Sequence, residues 1–474
     1  MDDFRKYNRF IMTMCGLAGL LYGIDVGLIS AALPYIKATC GFTPSETSSI
    51  VAAVLLGAIP GSFLCGWVAD RWGRLAAFRL TAVVFFVAVP LICCSGGNFH
   101  VMYLGRILQG AGCGLVGMAA PLVMAECADA KSRGKGTGMI QLVLTVGLVV
   151  AALVGVAVTK VIGPAESAAV SEAAKNLAWQ LIFWFSVIPT VFMFLGSLKM
   201  KETPRWLFMK GRLDEARESL LMNNSPEDAD AILADMRTNA SGPSGLASGA
   251  GDRRSRSLLQ RKYLLPWIIA FLIMCFTQAT GINSVLNYSV VIFQKAGLAG
   301  TGANWADTAI KFANFAMTIF ALALVDRRGR KFLLTIGVSG AVLGLASVGV
   351  TFFALEKGVL APGALSGWLV AGGFIFFIAA YGIGPGVCVW LANSELMPLR
   401  IRAKGMVVNG LGNAATSFVI AQSFLPWSEA HGESSVFFTL AGLTVLYLLT
   451  VAFLLPETKG RSLEEIERHF AKKS

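Results

Sequence analysis

An aspartate inside an apolar run is the first place where this sequence offers chemistry. Asp25 stands in LYGIDVGLIS, residues 21 to 30, within a run that opens at Phe10 and closes at Pro34. A carboxylate at the centre of a membrane helix costs about 2.5 to 3.5 kcal/mol on insertion scales, so it needs a partner, a water-filled cavity or its own proton. Counted from Phe10 at 1.5 Å per residue, Asp25 lies about 22 Å in, which leaves about 8 Å to the opposite face. Arg106 lies about 9 Å inside the fourth apolar run, counted from that same face. The two opposite charges therefore fall at similar depth and are expected to pair. Burial favours the neutral acid and a guanidinium favours the carboxylate, so a change in either moves a proton on or off. That is what proton coupling requires; a purely structural ion pair is the competing reading. The three histidines, His100, His431 and His469, sit at run ends or in loops and offer no relay.

A second set of charges is repeated. Asp70-Arg71-Trp72-Gly73-Arg74 reappears as Asp326-Arg327-Arg328-Gly329-Arg330. The pattern from Glu126 through Arg133 to Lys135-Gly136 reappears from Glu395 through Arg402 to Lys404-Gly405, and Glu202-Thr203 is echoed by Glu457-Thr458. Acids and arginines at the ends of neighbouring helices can hold a path shut by ion pairs that separate when it opens. The competing reading is solvated loop charge.

The elements that must position these residues are membrane helices. The chain has 474 residues, 55% hydrophobic and 14% charged, where soluble domains average about 25% charged. Twelve runs can span about 30 Å of hydrocarbon: near 10–33, 48–69, 76–95, 100–125, 137–159 and 178–198, then 264–292, 307–325, 332–355, 367–394, 405–425 and 435–455. The first is too long for a signal-peptide core and is read as a retained span. A hydrophilic stretch with a Gly/Ser linker at 241–251 separates the sets. The expected division is an N-terminal six-helix half at 1–199, a helical linker at 200–262, a C-terminal half at 263–456 and a tail at 457–474. Lysines and arginines crowd the loops after runs 2, 4, 8 and 10, and arginine is absent from the alternate loops, which places both termini and the linker on the cytoplasmic side. The net charge of +12 belongs to these flanks and not to a nucleic-acid surface. The nine cysteines show no CxxC pair or metal-ligand spacing and read as small apolar fillers.

In this order and on these loops, the motifs GID (23–25), DRWGR (70–74), GRILQGAGCG (105–114), PLVMAE (121–126), ETPRWL (202–207), TGIN (280–283), DRRGR (326–330), GPGVCVW (384–390) and PETKGRSLEEI (456–466) resemble those of the sugar porters of the major facilitator superfamily. The resemblance covers nearly the whole chain. It implies an all-α membrane fold of twelve helices in two pseudo-symmetric halves, with an inner gate built on Arg74, Glu126, Arg133, Arg330, Glu395 and Arg402. Asp70, Arg71, Asp326 and Arg327 belong to the same motifs. It also implies that Asp25 is the proton-coupling acid, since facilitative relatives carry a neutral residue there.

A sugar presents hydroxyls and an apolar ring face, which suit amide side chains and an aromatic surface. Alignment with the family places Gln141, Gln278, Asn283, Asn314, Trp390 and Asn413 at the sugar site. Thr277, expected at the same site, stands where the family carries the first of two glutamines. Asn287-Tyr288 replaces an aromatic pair, and Gly382 replaces a polar residue. Loss of an amide changes selectivity by orders of magnitude, so the expected substrate is a monosaccharide or cyclic polyol, with glucose only one candidate. The expected activity is proton symport by alternating access, with no cofactor beyond the proton gradient. The expected partners are sugar, protons and lipid, without nucleic acid, and the working unit is a monomer in the cell membrane. Alternatives are a facilitative uniporter and a non-transporting sugar sensor. An enzyme is excluded for want of a nucleophile with a base, a metal cluster or a phosphate-binding loop.

Overall fold

The structure, a computed structural model, describes residues 2–127, 133–241, 261–397 and 402–457, and every regular element among them is helical. The first half holds α1 (Asp2–Thr39), α2 (Pro44–Arg71), α3 (Arg74–Cys93), α4 (Phe99–Cys127), α5 (Arg133–Ile162) and a broken sixth rod, α6 (Glu172–Trp184) with α7 (Val187–Leu198). Short helices α8 (Pro204–Met209), α9 (Leu213–Leu221) and α10 (Pro226–Ser241) follow. The second half holds α11 (Arg261–Ala279) with α12 (Ile282–Lys295), α13 (Thr301–Arg328), α14 (Arg330–Glu356), α15 (Ala364–Ile383) with α16 (Pro385–Leu396), α17 (Arg402–His431) and α18 (Glu433–Leu449). A π-helical turn, Thr450–Leu454, ends α18.

Ten of these stretches are long and apolar enough to cross a membrane. The helices α13 and α17, of 28 and 30 residues, occupy the eighth and eleventh expected places outside that ten. The start of α13 at Thr301 precedes the apolar run expected at 307, which draws Asp307 and Lys311 into the body of the helix.

Local sequence accounts for the breaks that matter to the site. Gly281, at φ 78°, divides α11 from α12, a left-handed conformation that disfavours any residue with a Cβ. In the GPG segment, Gly384 ends α15 and Pro385 opens α16, where the missing proline N–H costs nothing. At the start of α2, Thr43 and Glu46 form a reciprocal capping box ahead of Pro44.

Glycines let the functional helices approach closely. A Cβ at Gly23 would stand 1.9 Å from the Leu144 carbonyl oxygen, and one at Gly110 would stand 2.2 Å from that of Val54. The helices α1 and α5, and α2 and α4, therefore pack backbone to backbone, as small residues permit where no hydrophobic force drives association.

The halves meet through α1 with α12, α2 with α17 and α5 with α13. Hydrogen bonds between them gather at the end away from the linker. There the Tyr288 hydroxyl donates to Ser48 Oγ at 3.3 Å, Gln422 Nε2 to Ser49 Oγ at 2.9 Å, and Asn304 Nδ2 to Thr159 Oγ1 at 3.1 Å. Glu166 accepts from the Gly300 N–H at 2.7 Å. At the linker end, the ion pairs of the described gate residues each lie within one half. The molecule is closed at its far end. At the linker end, α8 to α10 form a small apolar cluster of their own, fastened to the first half by Trp206 Nε1 donating to Asp70 O and Asn223 Nδ2 to Cys127 O.

Candidate functional site

Asp25 is fully buried on α1, and its nearest polar neighbours all come from α4. Gln109 Nε2 donates to Asp25 Oδ1, and Cys113 Sγ donates to Oδ2 at 3.0 Å. Arg106 reaches the same group indirectly: its Nη1 donates to Gln109 Oε1 at 2.6 Å and its Nε to Ile50 O at 3.2 Å. Its guanidinium carbon lies 5.5 Å from the Phe183 ring centroid. The direct Asp25–Arg106 pair expected from depth alone is thus replaced by a chain of three, because an amide accepts from the cation with one end and donates to the acid with the other. Cys113 is likewise more than an apolar filler. Residues 106, 109 and 113 recur at helical spacing, so they share one face of α4; that signal lay in GRILQGAGCG.

At the linker end, the three repeated sequence patterns build one construction twice. In the first half, Arg74 grips Glu126 with Nε to Oε2 and Nη2 to Oε1, each at 3.0 Å. Glu126 also accepts from Thr203 Oγ1 at 2.6 Å. Glu202 accepts the backbone N–H groups of Arg74 at 3.0 Å and Leu75 at 3.1 Å, placing a carboxylate at the N-terminus of α3. Gly73, at φ 110°, leaves room for that carboxylate, which a Cβ would meet at 2.2 Å. Burial pushes the Glu202 carboxyl above its usual range, while the N–H groups of Thr203, Leu75 and Arg74 pull the other way. In the second half, Arg330 Nη2 meets Glu395 Oε1 at 3.2 Å, and Glu457 accepts the N–H groups of Arg330 at 3.1 Å and Lys331 at 3.2 Å.

Asp70 is exposed and lies 3.3 Å from Arg74 Nη1, at the edge of this construction, and Arg71 is exposed. The side chains of Arg133, Asp326, Arg327 and Arg402 lie outside the described residues. Glu202 and Glu457 were visible in sequence as an echo and belong with the gate.

Replacing Arg74 by alanine leaves Glu126 buried with a hydroxyl as its remaining side-chain partner among the described residues, a loss of about 3 to 5 kcal/mol for breaking a buried pair from one side. The expected result is a markedly lower thermal unfolding midpoint, read by tryptophan fluorescence in detergent. An unchanged midpoint would show that the pair adds nothing to this state.

The expected sugar ligands divide into three groups. Gln278, Asn283 and Asn413 come together: Asn283 Nδ2 donates to Gln278 Oε1 at 2.9 Å, and Gln278 Nε2 donates to Asn413 Oδ1 at 3.3 Å. Asn413 Nδ2 in turn donates to Met274 O at 2.8 Å, where the break after α11 brings the helices together. Ser417, one turn beyond Asn413 and passed over in the sequence, accepts from Asn283 Nδ2 at 2.8 Å. Gln141 on α5 and Trp390 on α16 are exposed, and Asn314 on α13 is half-buried; among the described residues their side chains make no hydrogen bond to this cluster.

Thr277 departs from expectation. It is buried, its hydroxyl donates to Ile273 O at 2.8 Å, and it lies 2.9 Å from the Tyr447 hydroxyl of α18. Adjacent helical residues point about 100° apart, so Gln278 can face the amide cluster while Thr277 faces α18. Tyr288, at the position of the family's aromatic pair, bonds Ser48 of the other half and Ala421 O of its own at the closed end.

A family model described as sugar (and other) transporter matches residues 11–470. A probable polyol transporter 4 of Arabidopsis thaliana is 32% identical over 470 residues, covering 98% of this chain and 85% of its own. The galactose-proton symporter of Escherichia coli K12 is 29% identical over 483 residues, covering 100% and 98%. Among solved structures, the inward open conformation of the xylose transporter XylE from E. coli matches with a TM-score of 0.80 at 24% identity, over 98% of this chain and 100% of that one. The fold is that of the major facilitator superfamily, to which XylE belongs.

Proposed function

The chain belongs to the sugar (and other) transporter family, a family of membrane carriers and not of enzymes, and from that membership we propose that it imports a monosaccharide or cyclic polyol by proton symport. It is an integral membrane protein. The observation that carries the proton step is Asp25, an acid with no exposure in a membrane helix, bridged by Gln109 to the equally enclosed Arg106. An ionised acid there is costly unless its counter-charge is aligned, so loss of alignment drives proton uptake. Full-length similarity to a galactose-proton symporter supports the same reading.

In this proposal the linker end is cytoplasmic, and the closed far end faces outward. Proton and sugar enter from outside, the halves rock about the site between them, and both leave inward. The amides of Gln278, Asn283 and Asn413 bind hydroxyls, joined by Gln141 and Asn314 across the central space, with Trp390 as the apolar face. One chain holds the whole site, so a monomer suffices, and the proton gradient replaces any cofactor.

The test is uptake of a panel of radiolabelled sugars and polyols by proteoliposomes, with and without an imposed pH gradient. Symport requires accumulation that collapses with the gradient; equilibration alone, unaffected by pH difference, would identify a uniporter. Arg106→Ala removes the cation bridged to the acid, so the pH profile of uptake is expected to shift. A profile superimposable on wild type would detach Arg106 from the proton step.

A further inference from the structure

Neither the coupling group nor the amide cluster uses the most enclosed cation of the second half among the described residues. Lys311 is fully buried on α13, and its Nζ donates to Asp307 Oδ2 at 2.8 Å, Ser30 Oγ at 2.7 Å and Gly27 O at 3.1 Å. Asp307, also fully buried, accepts from Ser289 Oγ at 2.6 Å on α12 and from Ser30 Oγ at 3.2 Å. An ammonium has three protons to give, and here all three are taken.

The three acceptors differ in what happens when the halves move. Asp307 lies one turn before Lys311 on the same helix, so that contact travels with α13. Gly27 and Ser30 belong to α1 in the other half. The cation is fully satisfied only while α1 lies against α13. Parting the halves leaves it one protein acceptor and admits water; closing them expels water and substitutes a carbonyl and a hydroxyl. Because a buried charge without partners is strongly disfavoured, this exchange ties the charge to the closed geometry.

Its place in the fold gives the contact a consequence. Gly27 is two residues from Asp25 on α1, and Lys311 is three residues from Asn314 on α13. We infer that Lys311, held by Asp307, is a positioning residue for transport: a tethered cation that pins the two halves together at their outer closure and so sets the balance between outward-facing and inward-facing states. The geometry of closure stands by itself; the consequence for transport rests on the carrier reading above.

The experiment uses the full chain in nanodiscs with Ser48→Cys as reporter. Ser48 is fully buried at the closed end, between the Tyr288 hydroxyl and the Leu425 N–H, and is reached by a water-soluble maleimide only when that end opens. Labelling at position 48 is read by mass spectrometry. Lys311→Met and Asp307→Asn, each leaving one buried charge unpaired, are expected to raise the labelling rate about fivefold or more, a shift of about 1 kcal/mol in the opening equilibrium. The uncharged double variant should label more slowly than either single. Ser30→Ala, which keeps the ion pair and removes the hydroxyl between the halves, should raise the rate about twofold and decides the matter if the charge variants fail to fold.

Reference rates in folded Ser30→Ala and in the single variants would overturn the inference. A double variant as fast as the singles would overturn the role given to the charge. Unchanged labelling with normal uptake would defeat the pin and leave the carrier standing, whereas faster labelling with no sugar movement in any form, wild type included, would do the reverse.

Discussion

Replacing Asp25 by asparagine is expected to bring sugar accumulation against a gradient to nothing, with the ratio of inside to outside sugar falling to one at any imposed pH difference. The amide has the size and neutrality of the protonated acid. It can still accept from Gln109 Nε2, which now meets Asp25 Oδ1, and Cys113 remains beside it. The packing of α1 against α4 therefore survives, and so should the movement of the halves. What is lost is the proton that must leave on one side of the membrane before the empty carrier returns. Sugar-for-sugar exchange, which needs no such step, should persist at a substantial fraction of the wild-type rate. Accumulation that still follows the pH gradient in this variant would remove Asp25 from the coupling step.

The legibility of this chain depended on whether a residue's role is set along a helix or between helices. Asp25 and Arg106 were conspicuous because a charge inside an apolar run is costly wherever it points. Their connection through Gln109 was hidden, since depth along two rods fixes height but not rotation. The rotation is set by Gly23 and Gly110, whose missing side chains allow the close approach of α1 to α5 and α2 to α4. Likewise the echoes around Arg74 and Arg330 were legible as repeats, but only the folded chain brings Glu126 and Glu202, or Glu395 and Glu457, to one arginine segment.

Lys311 was missed for a different reason. Hydropathy began the eighth run at residue 307, and neither charge was singled out there; the helix starts at Thr301 and buries both. An ion pair spaced one turn apart screens itself from a reading based on single charges, because each member supplies the partner the other requires. Thr277 failed in the opposite direction. Its neighbour Gln278 does join the amide cluster, but alignment assigns a position, and the side chain that occupies it found a better partner in Tyr447. Selectivity is therefore expected to lie with the amides that face one another and not with position 277.

Among those amides Asn283 is the strongest test. Its Nδ2 is shared between Gln278 Oε1 and Ser417 Oγ, at 2.9 and 2.8 Å, so it holds two other polar groups in place. A hydroxyl of the substrate entering this cluster exchanges contacts with groups already oriented, which lowers the ordering cost of binding. Asn283→Ala removes a substrate partner and also releases Gln278, leaving a bound hydroxyl unpaired at a cost of about 1 to 3 kcal/mol, roughly a five- to hundredfold loss of affinity. The loss should appear as a higher concentration for half-maximal uptake and weaker protection by sugar against thermal unfolding, while the unfolding midpoint without sugar stays near wild type. Ser417→Ala, which keeps the amide and removes only its support, should show the same defect at smaller size. Wild-type affinity in folded Asn283→Ala would place the substrate away from the break between α11 and α12, and the search would move to Asn314 and Gln141 on the helices facing it.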